Sequence, residues 1–122
     1  MKEYKVYRAW KALKRLLAIQ EYVFNRTRNQ NLARAYILRV DRYCDTLSLA
    51  PHRGRDRSDL RAGIRVAKAP RTTTDIVFAV DEPLAQVHVL DFWHAGFSGE
   101  FDQAGEEGTE HFAWNAPRFA DA

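Results

Sequence analysis

Polar and apolar positions change their period twice along the chain. Lys5 to Arg8 (KVYR) alternates and predicts a short strand. From Trp10 to about Thr27, apolar residues recur at three- and four-residue steps through Leu13, Leu16, Leu17, Val23 and Phe24. That spacing predicts an amphipathic helix with this stripe toward the core; Lys11, Lys14, Arg15 and Glu21 mostly fall off it. Asn29 or Asn31 can cap a second helix, striped by Leu32, Tyr36, Val40, Tyr43 and Leu47. This helix ends before Pro51, because a residue preceding proline avoids helical backbone. The short link between the two predicts an antiparallel hairpin.

The period then changes to two. Gly63 to Lys68 reads as a strand with Ile64 and Val66 facing the core and Arg65 on the other side. Asp75 to Val80 alternates in the same way, and Asp81-Glu82-Pro83 is turn chemistry. Gln86 to His94 (QVHVLDFWH) is a further strand, apolar on both faces and therefore central or covered. Pro51 to Ser58 reads as a connector with Arg55 and Arg57 in solvent. Tyr7, Trp10, Phe78 and Phe92 fit core positions. Helices first and strands later predict an α+β fold: an N-terminal strand, then a two-helix antiparallel hairpin packed on a mostly antiparallel sheet, in the order β-α-α-β-β-β. Residues 1–99 form the expected single domain. Residues 100–122 form an acidic tail that keeps Phe112, Trp114 and Phe119, either frayed or docked.

Composition narrows the setting. A chain of 122 residues suits one core without covalent staples. With Cys44 as the only cysteine, no internal disulfide forms. No run approaches the ~20 apolar residues a membrane span needs. MKEYKVYRAW has no apolar leader core. A reducing, cytoplasmic location without membrane association is expected. The net charge of +3 hides an asymmetry: residues 1–71 carry 18 basic and 6 acidic groups, residues 72–122 carry one and ten. Self-neutralisation within the fold, an acidic protein partner and nucleic acid would each account for it.

The order of elements, together with Pro51-His52-Arg53-Gly54, Asp59-Leu60-Arg61-Ala62-Gly63-Ile64-Arg65, IVFAVD and QVHVLDFWHAG, resembles the ParE branch of the RelE/ParE toxin superfamily across residues 5–99. That resemblance implies the toxin of a type II toxin–antitoxin module, neutralised by a ParD-like or related antitoxin in a hetero-oligomer. It implies DNA gyrase as a target, and DNA contact only through the antitoxin complex. RelE-like relatives instead cut messenger RNA on the ribosome. A third reading is a decayed, non-toxic relative, with the tail folded back over the basic surface.

Cleavage through a 2′-hydroxyl needs a base, a cation and an acid. Arg61, Arg65 and His94 are the residues that could supply them. In the binding reading, Arg53, Arg61, Arg65 and Lys68 contact the partner's carboxylates. Asp91, where many relatives carry arginine, and Phe97, where a polar or basic residue is common, speak against RNA binding and favour the non-enzymatic reading. No cofactor or metal is expected. His88 and His94 share strand parity while Asp91 points the other way, so no local metal triad forms. Cys44 reads as core rather than nucleophile.

Overall fold

The structure, a computed structural model, describes residues 2–94. Strand β1 (Lys5–Arg8) leads into helix α1 (Trp10–Thr27) and helix α2 (Gln30–Asp45), which is followed by a 3-10 turn (Thr46–Ser48). Then come β2 (Arg55–Asp56), β3 (Ile64–Lys68), β4 (Thr74–Asp81) and β5 (Gln86–His94). The tail 100–122 and its aromatics, like Phe97, lie outside the described residues.

The five strands form one sheet in the order β1-β5-β4-β3-β2. Only β1 pairs parallel, with β5; the remaining pairs are antiparallel. The expected layer fold is present. The interior place of β5, between β1 and β4, agrees with its two apolar faces; the two-residue strand β2 within the supposed connector was not legible beforehand.

Both helices cover one face of the sheet. Ala12, Leu16 and Ile19 of α1 and Val40 and Cys44 of α2 share a core with Ile76, Phe78, Val87, Val89 and Phe92. The phase of α1 differs from the expected one. Leu16 and Val23 face inward as predicted, whereas Leu13 and Leu17 are exposed at 36% and 66%. A helix can show only one side to a flat sheet, and the set at Ala12, Leu16, Ile19 and Val23 occupies it. Trp10, 73% exposed, and Tyr7, 40% exposed, are likewise outside the core, whereas Phe78 and Phe92 are fully buried. In α2 the exposed member is Leu32.

Local chemistry fixes the joints. The Asn29 side chain accepts from the Leu32 backbone N–H at 3.0 Å and caps α2. Arg28 closes α1 in the left-handed region at φ 55°. Arg8 ties β1 to α2, donating to Asp41 Oδ1 at 2.8 Å and to Asp45 Oδ1 at 2.7 Å.

One irregularity decides which residues share a face. Val77 pairs with Asp91 and Phe78 with Val89, so Leu90 is an extra residue, a β-bulge in β5. The bulge reverses the alternation. Val87 and Val89 face the helices before it, and Phe92 and His94 after it. His88 therefore lies on the opposite face from His94, stacked on Tyr7 with ring centroids 5.4 Å apart. The shared parity expected for these two histidines does not exist.

The faces of β3 are also reversed relative to expectation. Arg65 pairs with Phe78 and so lies on the helix side, while Ile64 and Val66 belong to a second cluster on the far face, with Val77 and Leu90. All four are buried, at 0–5% exposure.

Candidate partner-binding surface

The arginines of the 50–66 stretch are largely engaged within the chain. Arg65 donates from Nη2 to the His52 carbonyl at 2.7 Å and the Gly54 carbonyl at 3.2 Å, and from Nε to the Arg53 carbonyl at 3.2 Å. A planar guanidinium can bridge three successive carbonyls in this way, and it holds the Pro51–Gly54 turn against the sheet. Gly54 makes the approach possible: at φ +84°, a Cβ there would meet the Val66 carbonyl oxygen at 2.4 Å. Arg53 donates to Thr46 Oγ1 at 2.8 Å and lies 5.0 Å from the Tyr43 ring centre. Arg57 bonds Asp59 through both Nε and Nη2, at 2.9 and 3.0 Å. Arg61 is half-buried, with its carbonyl accepting from Ile64 N–H at 3.2 Å; Lys68 is exposed at the end of β3.

His94 sits in a closed setting. It is 6% exposed, its Nδ1 is 2.8 Å from Thr74 Oγ1, and the Tyr22 and Tyr36 rings meet it edge-on at 5.3 and 5.7 Å. Burial lowers its pKa below the ordinary histidine value. Along β4, His94 pairs at Thr74 and Arg65 at Phe78, four residues apart and thus roughly 13 Å. The fold does not bring Arg65 and His94 into one site.

Asp91 is not a surface carboxylate. It is 2% exposed and lies between Arg15 Nε, 3.2 Å away, and Lys11 Nζ, 3.4 Å away, both reaching over from α1. It also accepts from the Phe92 N–H at 2.9 Å. Two cations offset the charge that such burial would otherwise penalise. A further polar group, illegible in the sequence, clamps the start of β1: Tyr4 donates to Glu82 Oε1 at 2.5 Å, and His52 Nε2 bonds Glu82 Oε2. The Tyr4 bond, and then the His52 bond, lower the Glu82 pKa.

The outward face of α1 has the opposite character. Trp10, Leu13 and Leu17 form an exposed apolar stripe on the side of the helix turned away from the sheet. Beside it lies a depression of about 290 Å³ lined by Trp10, Lys11, Lys14, Arg15 and Ala18. Lys11 and Arg15 are already engaged by Asp91, so the stripe offers a partner its apolar surface with Lys14 as the adjoining charge. The signal for this surface was present in the sequence: α1 carries two apolar stripes, and only one can be core.

Cys44 is fully buried, and burial pushes its thiol pKa up to about 12. Among the described residues, no group of three or more His, Cys, Asp or Glu is placed to hold a metal ion, and no helix is long and apolar enough to cross a membrane.

Two solved structures resemble this arrangement. A chain of the chromosomal ParDE TA system from P. aeruginosa superposes with a TM-score of 0.62 at 17% identity, over 74% of this chain and 94% of that one. A chain of the toxin–antitoxin complex RelBE2 from Mycobacterium tuberculosis gives 0.55 at 23% identity, over 77% and 93%. The chain shares the fold of these two chains. No protein-family model and no curated protein matches the sequence. In this fold, α1 and α2 form the hairpin, and the PHRG turn is the element that Arg65 holds against the sheet.

Proposed function

We propose that this chain is the toxin of a type II toxin–antitoxin module, and that it acts by binding a protein rather than by cutting RNA. Likeness to a chain of a ParDE system supports the module. The observation that carries the binding reading is the exposed apolar stripe of Trp10, Leu13 and Leu17. A ParD-like or related antitoxin would lay the apolar side of an acidic segment along it. Lys68 and Arg61 add charge elsewhere on the body. Arg53 and Arg65 contribute by fixing the turn between β2 and the 3-10 helix.

The ribonuclease alternative requires Arg61, Arg65 and His94 to converge. His94 is enclosed by Tyr22, Tyr36 and Thr74, and Arg65 is engaged with three carbonyls. By analogy with the ParE branch, DNA gyrase is the proposed target.

The test is a paired assay on the purified full chain. Incubated with gyrase, ATP and relaxed plasmid, it is expected to block supercoiling or to trap cleaved DNA. Incubated with translating ribosomes, it is expected to leave transcript ends unchanged. Codon-linked transcript cleavage would overturn the binding reading, and inertness toward gyrase would remove that target.

A further inference from the structure

Val66 is 0% exposed, Ile64 1%, Leu90 2% and Val77 5%, and all four project from the sheet face opposite the helices. The partly buried residues packed with them are Ala79 and Trp93. Every member of this cluster belongs to a strand, and no helix residue takes part. Neighbouring strands shield the flanks of a side chain but not its tip, so a sheet face needs a second layer to become dry. The described elements supply that layer on one face; on the other, α1 reaches only Asp91, the partner of Val77, through Lys11 and Arg15.

We propose that the chain's own C-terminal segment, within residues 95–122, is the second layer on this face. β5 ends at His94, next to Trp93, so the segment departs from the rim of the patch. It has 28 residues, whereas a patch spanning three strands is only roughly 10–15 Å wide. It carries Phe97, Phe101, Phe112, Trp114 and Phe119, an apolar content sufficient to cover Ile64, Val66, Val77 and Leu90.

Charge agrees with composition. Residues 95–122 hold six acidic groups and one basic group, a net −5, against 18 basic and ten acidic groups in residues 1–94, a net +8. By register, Arg55 shares the face of Val66, and Lys68 shares it at the far end of β3, opposite Asp75. Arg55 is exposed beside Val66. Lys68 faces Asp75, and Asp91 is offset by Lys11 and Arg15, so Arg55 is the cation at the edge of this patch that an acidic segment would meet. A tethered segment also outcompetes a separate molecule of equal affinity, because its effective concentration is of millimolar order. The proposal does not depend on the toxin reading: it concerns how this sheet is sealed.

The test uses the full chain with a nitroxide on Thr109→Cys, and separately on Gln103→Cys. Cys44, fully buried, does not take up the label. Methyl NMR signals of Val66, Val77 and Leu90 are compared with those of Leu13, Leu17 and Leu38, on the outer sides of the helices. Loss of the first set with retention of the second is the expected result. Retention of the sheet-face signals with both labels would overturn the proposal, as would losses spread equally over both sets. A mixture of isotope-labelled chain and spin-labelled, unlabelled chain identifies a second copy as the occupant. Losses in that mixture would also overturn it.

Discussion

The sheet and the outer face of α1 treat polarity in opposite ways. On the sheet, charged side chains are shielded and engaged within the chain: Asp91 between Lys11 and Arg15, Arg65 on three carbonyls. On α1, Trp10, Leu13 and Leu17 are apolar and turned outward. On the proposed reading, a basic residue in the motif is a poorer guide than exposed apolar surface to where a partner docks. The exposed apolar stripe is the better one, because burying it on a partner releases free energy while the engaged arginines have little left to gain.

Five measurements bear on that contrast, taken from the largest expected loss of stability to the smallest. Asp91→Ala leaves Lys11 and Arg15 facing each other near a dry strand, and should lower the urea-unfolding free energy by about 3–5 kcal/mol. An unchanged midpoint would mean the carboxylate is not part of the framework. Gly54→Ala must push the Val66 carbonyl away from 2.4 Å at an unfavourable φ, with an expected loss of about 2–4 kcal/mol. Gly63→Ala is the control: its φ is also +84° but nothing lies within 4 Å, so only about 1 kcal/mol should be lost.

Arg65→Ala should reduce stability by about 1–2 kcal/mol, seen as a lower melting temperature. If antitoxin affinity falls instead while stability holds, Arg65 is a contact residue and the contrast breaks down. The fourth test is pH. His94 and His88 are both depressed by burial, His88 against an opposing pull from Asp81. The unfolded chain takes up protons at these sites more readily than the folded one. Stability is then fully present above the unfolded value of 6.5 and is lost as pH falls below it. His94→Gln should flatten part of that slope in urea titrations between neutral and mildly acidic pH. Last, Trp10→Ala should shift stability by less than about 0.5 kcal/mol. The same change should weaken antitoxin binding by about 2 kcal/mol, measured by calorimetry. Unaltered affinity would place the partner elsewhere.

The elements were legible because each has a local signature: the helical period of α1, Asn29 before α2, and the alternation of β3 and β4. What the sequence withheld was orientation. Alternation separates Arg65 from Ile64 and Val66, but it does not say which of the two faces the helices cover when both are apolar. Helix α1 posed the same problem, since Leu13 and Leu17 are as apolar as Leu16. The engagement of Arg65 depends on contacts eleven to thirteen residues away, and the Tyr4–Glu82 bond spans 78, so neither leaves a local pattern. For the site this meant that the arginines could be read from the sequence, while the groups within the chain that engage them lay out of view.

The extra residue at Leu90 has a consequence for comparing this chain with others. An ungapped alignment of β5 against a strand without a bulge places either His88 or His94 in a column of the wrong side. A single gap at position 90 restores both, with Val87 and Val89 matched to one inward pair and Phe92 and His94 to the next.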